Sequence, residues 1–201
     1  MTGEATGEAT VETTGDASAA TGATIRHVVV MGVSGCGKTT VAQGIARVTG
    51  MRFAEADSFH SASNVAKMSA GHPLADADRW PWLDSLAQWM AAEDALGHST
   101  VIACSALRRA YRDVLRTGPP TLSFIHLDGP VGVVQERLAA RRGHYMPASL
   151  LGSQLETLQP LQPDESGVVL DLTRSPEELV ADAVSWLEQG PRPVGAVHPM
   201  P

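Results

Sequence analysis

The residues Gly32-Val33-Ser34-Gly35-Cys36-Gly37-Lys38-Thr39 match the phosphate-binding pattern G-x-x-x-x-G-K-[ST] at every fixed position. Glycines at this spacing let consecutive backbone N–H groups turn toward one centre. Lys38 can then reach the β- and γ-phosphates, and Thr39 can offer its hydroxyl to Mg²⁺. Gly32 to Thr40 is therefore the expected nucleotide-binding run, and the implied ligand is a nucleoside triphosphate. Glu55 and Asp57 supply two carboxylates separated by Ala56. In phosphoryl transfer a carboxylate orients the acceptor hydroxyl and takes its proton late, while metal and cations hold the spreading charge. Asp57 is assigned the first task, and Glu55 is assigned to the hydrated magnesium. Two solvated acids at a strand end would look the same by spacing alone.

Several basic residues extend the set. Arg137 and Arg141 lie four apart on an expected helix and lead into Arg142-Gly143-His144-Tyr145, an arrangement that suits a cationic lid closing over a triphosphate. Arg79 and the group Arg108, Arg109 and Arg112 are candidates to meet an anionic acceptor, with surface pairing to Asp76, Asp78 and Asp113 as the plainer reading. His60 and His144 either bond a polar substrate or are structural. Trp80, Trp82 and Trp89 read as packing, with Trp80 the best placed to border a cleft.

These groups need a scaffold. Arg26 to Met31 reads as a short buried strand and Val41, Ile45 and Val48 recur at helical spacing, so the phosphate loop sits between a strand and a helix N-terminus that faces the phosphates. Apolar runs at Arg52 to Ala54, Val101 to Cys104, Leu122 to Leu127 and Val168 to Leu172 are of strand length. Each is followed by a helical pattern or a loop leading to one, which implies an α/β fold with a parallel sheet. Trp82, Leu83, Leu86, Trp89 and Met90 share one helical face, as do Leu179, Val180, Ala183, Val184 and Leu187. Ser175, Pro176 and Glu178 form the start signal of that last helix.

The chain of 201 residues carries a formal charge of −7, of which Glu4, Glu8, Glu12 and Asp16 contribute four charges in the first 24 residues. That segment is expected to be a disordered acidic leader: it repeats Thr-Gly-Glu-Ala-Thr, has neither an apolar core nor an arginine, and so does not resemble a targeting signal. Residues 190–201 are expected to be a Pro-rich flexible tail. The mild negative balance argues against a nucleic-acid partner, and the absence of a long apolar run argues against a membrane partner. Two cysteines, Cys36 and Cys104, indicate neither a disulfide framework nor a zinc site. A reducing cytoplasm fits best. The chain shows no Asn-Lys-x-Asp tetrad for guanine and no transporter signature, and the run ending at Cys104 is followed by Ser105 where a motor ATPase would carry an acid. A small kinase remains.

Taken together, Met31 to Thr40, Glu55-Ala-Asp-Ser-Phe-His60, Pro73 to Leu83, Cys104 to Asp113, Arg142-Gly-His-Tyr-Met146 and Ser153 to Leu158 resemble the thermoresistant-type gluconokinases, from about Arg26 to Leu187. The resemblance implies a P-loop kinase three-layer fold with a five-stranded parallel sheet, a small mobile lid at about 137–150 within a domain at 25–189, and usually a homodimer. It implies transfer of the γ-phosphoryl group of ATP, with Mg²⁺, to the 6-hydroxyl of D-gluconate. On this reading Lys38, Asp57 and Arg141 are catalytic, and Thr39 and Glu55, the latter through water, serve the metal. Arg137 lies against adenine beside Thr173 to Pro176. Asp57, His60, Arg79, Ser105, Arg108, His144 and Gln154 meet the acceptor, with Arg79 near its carboxylate. Members often carry Asp, Ser and Phe where this chain has Glu55, Cys36 and Tyr145. A shikimate- or nucleotide-type kinase on the same scaffold, or a nucleotide-binding regulator without transfer activity, are the alternatives. The arginines do not separate the kinases, because every rival acceptor is an anion.

Overall fold

The computed structural model describes residues 26–140, 149–190 and 192–195. Their strands are β1 (His27–Met31), β2 (Arg52–Glu55), β3 (Thr100–Ala103), β4 (Leu122–Asp128) and β5 (Gly167–Asp171), in the order β2-β3-β1-β4-β5 with every pair parallel. Alternate residues of the central strands enter opposite cores. Val28, Val30, Val101, Ala103, Ile125 and Leu127 pack on one side with the helices α1 (Lys38–Thr49) and α7 (Pro176–Glu188). Val29, Met31, Ile102 and Phe124 pack on the other with α3 (Asp76–Ala95) and α4 (Arg109–Leu115). The result is the three-layer architecture expected of βα repetition. Shorter helices α2 (Ala62–Ser69), α5 (Val131–Ala140) and α6 (Ser149–Thr157) complete the described elements.

The strand order decides where chemistry can occur. β1 has β3 on one side and β4 on the other, so the connections leaving neighbouring strands diverge and open a crevice at their carboxyl ends. The phosphate loop occupies that crevice. Gly32 has φ 137 and its amide donates to the Ser105 carbonyl at 3.3 Å; a Cβ here would come within 2.8 Å of the Leu127 carbonyl oxygen and 2.9 Å of Cys36 Sγ. Gly37 caps α1 with φ 106, in the left-handed region where a side chain is strained.

Several expectations change. Val48, expected on the apolar face of α1, is 65% exposed in its last turn. Residues 192–195 do not form a loose end: Val194 N donates to Glu165 O at 2.9 Å and Gly167 N to Arg192 O at 3.1 Å, so they cover the start of β5. Residues 137–140 are the last turn of α5 and Ser149 opens α6, while the central part of the expected lid and the leader lie outside the described residues. Among the described residues no helix is long and apolar enough to cross a membrane.

Candidate active site

The phosphate loop is held ready from several directions. Lys38 Nζ donates to the Val33 carbonyl at 3.0 Å, folding the side chain back over the loop. Gln154 of α6 accepts from Ser34 N at 2.6 Å, so this residue, expected with the acceptor, meets the phosphate loop. Arg137 Nη2 donates to the Leu172 carbonyl at 2.7 Å and Nη1 to that of Cys36 at 3.3 Å, tying the end of β5 to the loop. Behind this arginine an open cleft of about 320 Å³ is lined by Gly37, Thr40, Arg137, Arg174 and Pro176. Burial pushes the Cys36 thiol up from its ordinary range, against the pull of Lys38. The buried Cys104 thiol is pushed up to about 12. Neither is a reactive thiolate.

Thr39 Oγ1 donates to Glu55 Oε2 at 2.8 Å, bringing the first residues of α1 to the end of β2. Burial raises the Glu55 carboxyl above its ordinary range, and the neighbouring Asp57 raises it further, while Thr39 and Lys38 act the other way. A hydroxyl and a carboxylate are hard oxygen donors, which suits Mg²⁺. They are too few to enclose it, as fits an ion that keeps waters and takes phosphate oxygens. After Glu55 the chain makes a 3₁₀ turn, Ala56–Phe59, that exposes Asp57 beside the crevice. Trp82 of α3 fixes this turn by donating from Nε1 to the Ala56 carbonyl at 2.8 Å, and His60 stacks on the Trp82 ring with centroids 4.3 Å apart. Burial lowers the His60 pKa; Asp57 opposes the shift and Arg79 adds to it.

Beyond His60 stands a polar cluster from the start of α3 and from α4. Asp76 Oδ1 accepts from the Tyr111 hydroxyl at 2.6 Å and from Arg79 Nη1 at 3.4 Å, and Asp76 Oδ2 accepts from Arg108 Nη1 at 2.7 Å. Each guanidinium carbon lies 5.7 Å from the Tyr111 ring centroid, within cation–π range. Trp80 packs edge-on against the same ring. Thr39 bonds Glu55, Asp57 acts on the charge of both Glu55 and His60, and Arg79 acts on His60 in turn, so these groups share one end of the sheet.

A family profile described as shikimate kinase matches residues 34–188. A gluconokinase of Gluconobacter oxydans is 45% identical over 159 residues, 79% of this chain and 89% of its own. The crystal structure of a gluconokinase from Sinorhizobium meliloti 1021 superposes with a TM-score of 0.74 at 42% identity, covering 82% of this chain and 92% of that one. An unliganded sugar kinase from Janibacter sp. HTCC2649 superposes with a TM-score of 0.79 at 61% identity, over 83% and 96%. The chain belongs to the gluconokinase family.

Within this gluconokinase-family fold the structure divides the arginines expected from sequence. Arg79 and Arg108 belong to the crevice cluster, whereas Arg109 and Arg112 are engaged by acids away from it. Arg109 is taken by Asp113 and, through both of its terminal nitrogens, by Asp164. Arg112 is fully buried; it holds Glu165 through two 2.7 Å bonds and donates to the carbonyls of Ala106, Gln159 and Pro160. The reason is local: α4 places Arg112 inward, under a strand-end turn where Ala106 has φ 44, and an interior guanidinium requires a paired acid and carbonyl acceptors. Ser105 precedes that turn, and its carbonyl receives the Gly32 amide. Arg141 and His144 lie outside the described residues. Sequence reasoning set aside Asp76 as a surface partner and did not single out Tyr111. The Asp-x-x-Arg spacing of Asp76 and Arg79, one turn apart at a helix start, was the available signal.

Proposed function

We propose that this protein is a gluconokinase, transferring the γ-phosphoryl group of ATP to the 6-hydroxyl of D-gluconate to give 6-phospho-D-gluconate and ADP. The observation that carries the reading is the placement of the phosphate loop with its Thr39–Glu55 bond, of Asp57 and of the Arg79–Arg108 pair at one end of the sheet, with Asp57 and Arg79 both near enough to His60 to act on its charge. The names of relatives at 42–45% identity give the acceptor, which the arginines alone leave open. The shikimate kinase description fits the shared scaffold.

In this mechanism the amides of Gly32 to Thr39 and the Lys38 ammonium bind the β- and γ-phosphates, leaving the transferred group directed at the acceptor. Thr39 and, through water, Glu55 would hold Mg²⁺, which when bound neutralises charge between the β- and γ-phosphates. Asp57 orients the acceptor hydroxyl toward the phosphorus and takes its proton as the bond forms. Arg79 and Arg108 hold the sugar acid's carboxylate, with His60 and Ser105 beside the chain of hydroxyls. Arg137, Arg174 and Pro176 line the adenine cleft, and Arg141 and His144 belong to a lid that shuts out water. Gln154 serves by fixing Ser34 of the phosphate loop. A cytoplasmic homodimer is the form proposed for the working enzyme.

The test is an ADP-release assay with gluconate, shikimate and nucleoside monophosphates, each against an acceptor-free control. Turnover on gluconate alone is expected. Turnover on a nucleotide or shikimate in its place would reassign the acceptor, and ATP binding with no turnover on any of them would favour a regulator.

A further inference from the structure

Asp76 stands at the point where two cations and a phenol meet, and its position has a consequence for the acceptor's charge. Both of its oxygens are engaged: Oδ1 by Tyr111 and Arg79, Oδ2 by Arg108. The next acid, Asp78, is engaged elsewhere, by Lys67 and by the amide of Ala75. The cluster therefore combines two guanidinium charges with one carboxylate and presents a single positive charge in excess. Arg79 and Arg108 reach Asp76 through Nη1, and a guanidinium has five N–H donors in a fixed fork, so donors remain for a second anion. Asp76 does not swing away cheaply, because the Tyr111 hydroxyl fixes it and the start of α3 favours a negative charge there.

We infer that Asp76 sets the charge specificity of the acceptor site, making the arginine pair a receptor for one carboxylate and not for a dianionic phosphoryl group. The inference rests on the proposed reading of Arg79 and Arg108 as the acceptor's anion site. A monoanion brings the cluster to neutrality. A dianion feels twice the net attraction, but its desolvation cost grows as the square of its charge, so with Asp76 cancelling one guanidinium the added attraction no longer covers the added cost, and an uncompensated negative charge is left in a half-enclosed crevice. Asp76 acts through the field it imposes and through the guanidinium geometry it holds, so it is a positioning residue.

The experiment measures calorimetric binding of two non-reacting probes at pH 8: 6-deoxy-D-gluconate, and the same polyol with a phosphonate in place of the carboxylate. Wild type, Asp76→Asn and Asp76→Glu are compared, with melting temperatures recorded and wild-type turnover on gluconate run in parallel. Wild type should bind the carboxylate more tightly. Asp76→Asn should move the ratio of the two dissociation constants about fivefold toward the phosphonate, the order expected for one charge at this range and exposure, and Asp76→Glu should restore it. Asp76→Ser serves if the Asn variant does not fold. A ratio that is the same in wild type and the neutral variants, a wild type that prefers the phosphonate, or a protein that binds neither probe would each overturn the inference. Absent turnover on gluconate with the ratio shift intact would instead overturn the assigned reaction and leave the charge rule standing.

Discussion

Asp57 is a single carboxylate on a short turn, exposed where Glu55 beside it is half-buried and bonded to Thr39. That contrast separates their tasks: the acid fixed to the first turn of α1 suits a metal's water shell, and the free one suits a hydroxyl. Replacing Asp57 with Asn keeps the shape and removes the proposed proton acceptor. Turnover on gluconate is expected to fall by roughly 10²-fold or more, with nucleotide affinity close to wild type by titration with a non-hydrolysable analogue. Equal loss of nucleotide affinity would mean that Asp57 serves the phosphates, and unchanged turnover would remove it from the mechanism. The phosphate loop was legible in the sequence because its chemistry resides in fixed residue types at fixed spacing. Asp76 and Tyr111 were not, because their significance arises only when α3 and α4, 35 residues apart at this pair, lie side by side.

At the scale of elements, α3 does more than fill a core. Leu83, Leu86 and Met90 are buried against the sheet as the helical period predicts, whereas Trp82, read from sequence as packing, also fixes the Asp57 turn through the Ala56 carbonyl. Period reveals which face is apolar; it does not reveal that one edge of that face carries a donor. In Trp82→Phe the ring's bulk is mostly kept but the Ala56 carbonyl loses the indole bond, at a cost of about 0.5–1.5 kcal/mol. Urea denaturation should show that loss. The KM for gluconate should rise and the KM for ATP stay near wild type, because the freed turn carries Asp57 and His60 and no part of the phosphate loop. A variant in which both constants moved together would show that α3 supports the whole site and not this turn. The short helices were harder to anticipate for the same reason in reverse: α2 buries only Asn64, and the seven-residue α4 interrupts its apolar pair Tyr111 and Leu115 with an inward arginine.

Across the whole molecule, the parallel run of the strands and the placement of the main helices follow from the alternation of apolar runs with helical patterns, whereas the strand order does not, and the join between α4 and the segment before β5 rests on one buried acid that no pattern marks. Glu165 joins α4, through Arg112 and Arg116, to the segment before β5, and its carbonyl receives the amide of Val194 from residues 192–195. Burial opposes its ionisation, yet the bonds from Arg112, from the Gln162 amide and from Arg116 hold its carboxyl down from 4.5 to about 2. The stability this ionised group contributes is present in full above its unfolded-state value of 4.5 and is lost as pH falls toward about 2. Asp78, Asp164 and Glu178 are also held below the usual carboxylate range, so the acid limb of wild type belongs to several groups and a difference must be measured. Glu165→Gln alone leaves Arg112 buried without its counter-charge, a loss of about 3–5 kcal/mol. Replacing Arg112 and Glu165 together with Met removes both charges and so avoids the unpaired guanidinium, although the Ala106 and Gln159 carbonyls lose its bonds and some stability goes with them. Unfolding free energy measured between pH 6 and pH 3 by denaturant titration should therefore fall less steeply in the double variant than in wild type. Parallel acid limbs would mean that Glu165 titrates alike in the folded and unfolded chain, and that the Arg112 clamp contributes nothing to the pH dependence of folding.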